Sequence, residues 1–98
     1  MSILLQNGDT PKERLVEALK IVDQALVMRP NHPSINDTRG HVLFKLGRFQ
    51  ESIVNFEVAL QDKRLRKDVQ TFISRAYRNL GQDRLADHFE KISQEKEE

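Results

Sequence analysis

The sequence predicts an all-α fold, in which antiparallel helix pairs stack as a short α-solenoid of about five helices. Three observations predict it. Apolar residues recur at i, i+3, i+4 and i+7 over nearly the whole chain after residue 9, the spacing of one helix face. No segment alternates with period two over a strand's length. The helices also repeat in pairs: Gly47 and Gly81 lie 34 residues apart, as do Leu46 and Leu80, Leu43 and Tyr77, and Ala25 and Ala59. A period of 34 with two short helices per unit is the mark of a helical repeat array.

Each element has its own signals. Thr10-Pro11-Lys12-Glu13 reads as a helix start, with Thr10 as N-cap, Pro11 at the first helical position and Glu13 closing a capping box. Leu15, Ala18, Leu19, Val22, Ala25 and Leu26 share the apolar face of that first helix. Pro30 and Pro33 stop it and bracket a turn at Asn31-His32. A second helix starts near Pro33, carries Ile35, Val42, Leu43 and Leu46, and stops at Gly47, where glycine tolerates the left-handed conformation. Phe49, Ser52, Ile53, Phe56, Ala59 and Leu60 form a third stripe. Val69, Phe72, Ile73, Ala76, Tyr77 and Leu80 form a fourth, ended by Gly81, and Leu85, Ala86, Phe89 and Ile92 a fifth. Residues 1–9 read as an irregular segment, 10–95 as the folded domain, and 96–98 as a frayed tail.

Composition narrows the function. Sixteen Lys/Arg against fifteen Asp/Glu leave a net charge of +1 over 98 residues, which supplies no field to steer the chain onto nucleic acid or an anionic membrane. Without cysteine there is no disulfide framework, thiolate metal site or cysteine nucleophile. No apolar run approaches the roughly 20 residues of a membrane span. Met1-Ser2-Ile3-Leu4-Leu5 is too short and too poor in positive charge for a signal peptide, so the default expectation is cytoplasmic.

The repeated positions resemble the tetratricopeptide-repeat family, whose pattern runs Trp, Leu-Gly and Tyr along the first helix of a pair, then Ala, Phe, Ala and Pro along the second. The middle repeat, 33–66, carries Gly40, Leu43, Gly47, Phe49, Phe56 and Ala59. It departs from the pattern at Asn36 (the aromatic), Arg39 (the leucine), Ser52 (the alanine) and Arg64 (the proline). The third repeat, from 67 to 95, keeps Ile73, Ser74, Tyr77, Gly81 and Ala86, with Phe89 one residue out of step. The first, 10–32, contributes only its second helix, through Ala18, Val22, Ala25 and Pro30. The resemblance implies a right-handed solenoid of two and a half repeats whose first helices line a concave, peptide-binding side. Some members clamp the terminal carboxylate of heat-shock chaperones. At those positions this chain holds Ile3, Asn7, Thr38, Asp68 and Phe72, and only Asn7 matches, so that activity does not carry over.

Packing follows from side-chain size. Antiparallel helices approach closely only at small residues, so Gly40, Ser52, Ser74 and Ala86 read as crossing points. Phe56, Tyr77 and Phe89 fill the space beside them, each removing about 150–250 Å² from water. Ala59 is expected where one repeat meets the next. The final helix, with Asp83, Asp87, His88 and Lys91 outward, caps one end. The other end, around Ile3-Leu4-Leu5 and the outer side of helix 11–28, is under-protected; it is expected to pack on itself, on a second copy as a homodimer, or on the rest of a longer parent chain.

No catalytic, cofactor or metal constellation emerges. The glycines at 8, 40, 47 and 81 are scattered, and His32, His41 and His88 never fall at i, i+3 or i+4 to one another. Asp37 and His41 are four apart, which reads as an exposed helical pair. Lys63-Arg64-Leu65-Arg66-Lys67 reads as a solvated loop between repeats, beside the C-terminus of helix 49–62, whose dipole favours cations. The remaining candidate is the groove. Opposite the core stripe lie Ser34, Asp37, His41, Phe44 and Lys45 on the second helix, and Asp68, Thr71, Arg75, Arg78 and Asn79 on the fourth. This trough suits a protein or peptide partner carrying carboxylates, through arginine contacts and an apolar anchor at Phe44. The expected function is a non-catalytic interaction module; the alternative is a repeat segment that positions a catalytic domain of a larger enzyme or assembly.

Overall fold

The computed structural model describes residues 11–95. Among them are five α-helices and no strand: α1 Lys12–Met28, α2 Pro33–Lys45, α3 Phe49–Ala59, α4 Lys63–Asn79 and α5 Asp83–Gln94. The fold is all-α. Each helix packs on its neighbours in sequence, and α2 also touches α4. Short connections force each chain reversal.

The helix ends show which local signals prevailed. Pro11 sits at the N-cap of α1 with extended backbone rather than at the first helical position, and its carbonyl accepts from the Arg14 and Leu15 amides at 3.0 and 3.2 Å. Thr10, the expected cap, lies outside the described residues, as do the segments 1–9 and 96–98. Pro33 opens α2 as expected, and His32 Nδ1 accepts from the Ile35 amide at 3.4 Å. Gly47 and Gly81 have φ of +80° and +79°, and each closes the same motif. The Arg48 and Gln82 amides reach back to the carbonyls of Leu43 and Tyr77 at 2.9 Å, while the glycine amides bond to Phe44 and Arg78. This is the left-handed helix stop in which two orphan carbonyls are satisfied together.

The basic run corrects an expectation. Lys63–Lys67 is not a loop but the opening of α4. Asp62 caps it, accepting from the Arg64 amide at 2.9 Å, and an aspartate there outweighs four cations placed at the unfavourable end of the dipole. The Arg64 guanidinium beside it holds the Asp62 carboxyl below the usual range. Leu65 packs against the core formed by α3 and α4, and Arg66 donates to the Leu60 carbonyl at the end of α3 at 3.2 Å.

The core centres where α3 meets α4. Ile53, Phe56 and Ala59 pack there with Val69, Ile73 and Ala76, so Ala59 stands where α3 meets α4. Gly40, Ser52, Ser74 and Ala86 are all buried. The Ser74 hydroxyl donates to the Ala86 carbonyl at 2.7 Å across the α4–α5 crossing. Tyr77 stacks on Phe89 with centroids 5.8 Å apart. Leu85, expected in the fifth stripe, is 41% exposed, because Ala86, Phe89 and Ser93 take the side of α5 turned to α4. Among the described residues no helix is long and apolar enough to cross a membrane.

Candidate functional site

The trough predicted between α2 and α4 is built around an aromatic cluster. His41 lies edge-on to Phe72 and Phe56, with centroids 4.4 and 5.1 Å away. Phe44 packs edge-on to Phe49 at 5.1 Å and to Phe72 at 5.4 Å. Thus His41 and Phe44 do not stand clear of the core; both are half-buried, and Phe72 of α4 is the ring that joins them. Sequence reasoning placed Phe72 in the fourth core stripe and at a non-matching clamp position, but not in the groove. Its spacing three residues before Arg75 was the available signal, because those positions share a helix face.

Asp37 and His41 form a pair, with Nε2 3.3 Å from Oδ1. It is less exposed than expected: the side chains keep 22% and 34% of their surface. Burial pushes the Asp37 carboxyl above its ordinary pKa; the opposing pull of His41 is smaller, and the charge of Asp68 adds to the rise.

The cations divide into two kinds. Arg78 is already committed: Asp87 lies at 2.9 Å, Glu90 at 3.0 Å and Asp83 at 3.6 Å. It therefore ties α4 to α5 rather than reaching for a ligand. Arg75 is exposed and places its guanidinium over the Phe72 ring, 5.0 Å from the centroid, a cation–π contact. Among the described residues it makes no ion pair. Asn79 donates to the Arg75 carbonyl at 2.9 Å, and Lys45 projects into solvent at the end of α2.

Phe44, Arg75, Arg78 and Asn79 line one open cavity of about 220 Å³. Arg75 also borders a larger cavity of about 480 Å³ between α4 and α5, whose walls include Lys67, Thr71 and Glu90. Four of the ten predicted groove residues therefore meet at one place, while Asp37 and His41 form a half-buried pair. The combination of aromatic edge, oriented guanidinium and amide can hold a carboxylate next to an apolar side chain. Among the described residues no group of three His, Asp or Glu side chains is placed to hold a metal ion.

A second polar assembly was not foreseen. Arg39 donates to Asp23 on α1 at 2.6 Å and to Asn55 on α3 at 2.9 Å. Asn55 donates to Asn36 at 2.9 Å, and Asn36 donates to the Pro30 and His32 carbonyls. Asn36 and Arg39 are two of the positions at which the repeat pattern was broken. They are the sites at which three helices and a turn are tied together.

Compared with protein-family models, curated proteins and solved structures, the chain matches none.

Proposed function

We propose that this chain is a tetratricopeptide-like interaction module that binds an acidic segment of a partner protein on the α2–α4 surface, without catalysing a reaction. Two pairs of residues, each 34 apart, support the repeat reading. Gly47 and Gly81 end their helices with the same hydrogen bonds, and Gly40 and Ser74 each stand at a close helix crossing, Gly40 against Phe56 of α3 and Ser74 against Ala86 of α5.

One observation carries the binding site. Arg75 is exposed, placed over the Phe72 ring, and set in a cavity wall with Phe44 and Asn79, whereas neighbouring Arg78 is consumed by three carboxylates. An oriented guanidinium beside an aromatic edge favours a carboxylate-bearing peptide, since charge-assisted contacts are about twice as strong as neutral ones. Immobilised wild-type protein should retain a partner that Arg75→Glu loses, with affinity falling about tenfold, or roughly 1.4 kcal/mol. Equal recovery by both proteins overturns the site. Arg78→Glu is a poor substitute, because it would break the α4–α5 clasp as well.

A further inference from the structure

The helix pair α4–α5 presents the surface on which the pair before it receives a neighbouring helix. In that earlier pair, His41, Phe44 and Phe56 pack against Phe72 of α4, Phe56 and Ala59 have no exposed surface, and Leu60 joins the same cluster. At 34 positions further on, His41, Phe44, Phe56, Ala59 and Leu60 become Arg75, Arg78, Glu90, Ser93 and Gln94. These five line the cavity of about 480 Å³ on α4 and α5, together with Lys67, Thr71 and Ser74. Its floor, Ser74 and Ser93, is buried, while Lys67, Arg75, Glu90 and Gln94 are exposed around it. Among the described residues α5 packs on α4 alone. The seam that is apolar and filled by a helix in one pair is polar and open in the next.

The lining is cationic wherever it is not already paired. Arg78 and Glu90 hold each other at 3.0 Å. The Ser74, Ser93 and Thr71 hydroxyls donate to the carbonyls of Ala86, Glu90 and Lys67. That leaves Lys67 and Arg75, which make no ion pair among the described residues. An apolar helix on this surface would desolvate both cations without a partner, whereas a helix bearing carboxylates would satisfy them.

We propose that the acidic segment of the partner is a helix, docked on the α4–α5 surface as α4 is docked on α2 and α3. The inference rests on the assignment of Arg75 as the anion contact. The earlier pair sets the register. Phe72 packs on His41, the counterpart of Arg75. Asp68, one turn earlier on α4, lies close enough to Asp37, the counterpart of Thr71, for its charge to raise that carboxyl's pKa. The two pairs advance together along both helices, so α4 runs beside α2 in the same direction. Carboxylates four residues apart on the docked helix then face Arg75 and Thr71, with the Lys67 ammonium one turn beyond.

The probe is a fluorescein-labelled, stapled helical peptide with two glutamates four apart, since like charges at that spacing weaken an unstapled helix. Wild type should bind it about tenfold tighter than its diglutamine counterpart, and the preference should shrink as salt is added. Lys67→Gln should remove most of that preference. Lys20→Gln on α1, an equal change of net charge at an exposed position, should keep it. An intact preference in Lys67→Gln overturns the proposal, as does an equal loss in both variants, because net charge alone would then account for the attraction. A proline-broken peptide with the same glutamates separates this inference from the α2–α4 site. If it binds as tightly as the helix, and loses affinity with Arg75→Glu but not with Lys67→Gln, the helical dock fails and the α2–α4 site stands. If Arg75→Glu leaves the glutamate helix bound as before, both fail.

Discussion

Gly40 is a glycine because of Phe56. A Cβ at that position would meet Cδ1 and Cε1 of the ring at 2.7 Å, and the ring has no exposed surface toward which to swing. Gly40→Ala is expected to lower stability by about 1–3 kcal/mol through overpacking, read as a lower urea midpoint at unchanged slope. Asp37 acts in the opposite sense. Burial raises its pKa in the folded chain, so the folded state binds more protons than the unfolded one between the two values. Stability from this group then falls as pH rises through that window, and its charged form detracts from stability at neutral pH. Asp37→Asn should be more stable than wild type at pH 7, and the difference should close as pH is lowered toward about 4. Denaturant melts at the two pH values decide the point. A gap that widens in acid would show that the His41 contact, not burial, governs the carboxyl.

Helix ends and helix faces were not equally legible. Gly47 and Gly81 announced themselves, since a residue after the last apolar position must adopt positive φ to turn the chain. An added Cβ meets nothing within 4 Å at either glycine, so the cost of Gly47→Ala or Gly81→Ala is the left-handed backbone alone. Each should remove about 1–2 kcal/mol, and the double variant should lose the sum, because the two stops share no partners. The face of α2 was harder to read. His41 and Phe44 were assigned to the open side, but aromatic rings on α3 and α4 draw them in, and periodicity within one helix cannot show which neighbour waits beside it. Lys63–Lys67 misled for a related reason: charge composition suggested a loop, while one capping residue, Asp62, set the helix start. The polar network was invisible as a network. Asn36 and Arg39 stood out singly as breaks in a pattern, and only the fold brings Asp23 and Asn55 to them. Arg39→Leu restores the expected residue yet should destabilise by about 1–3 kcal/mol, because Asn55 then loses a partner in a buried setting. Replacing Asn36 and Asn55 by apolar residues in the same chain should recover much of that loss, a test of mutual satisfaction that thermal melts can read.

As a whole, the molecule is a stack in which stability depends on position. Among the described residues α1 packs on α2 alone and α5 on α4 alone, whereas α2, α3 and α4 each have helices on both sides or more. The buried centre, Ile53, Phe56, Ala59, Val69, Ile73 and Ala76, belongs entirely to α3 and α4. In a quasi-one-dimensional array, stability sums from neighbour interfaces, and the ends open at lower free energy than the middle. Native-state hydrogen exchange should therefore protect the amides of α3 and α4 most. The order at the two ends follows from their chemistry. α5 is fastened by the Arg78 cluster and the Ser74–Ala86 hydrogen bond, while α1 is fastened to the rest by Arg39–Asp23 and two buried side chains, Leu15 and Val22. Asp23→Ala should accordingly speed exchange in α1 while leaving α4 and α5 unchanged, and Ala59→Leu, which overpacks the central junction, should lower protection in α3 and α4 together. If Asp23→Ala lowered protection equally in all five helices, the stack would be unfolding as one cooperative unit, and the graded picture would fail.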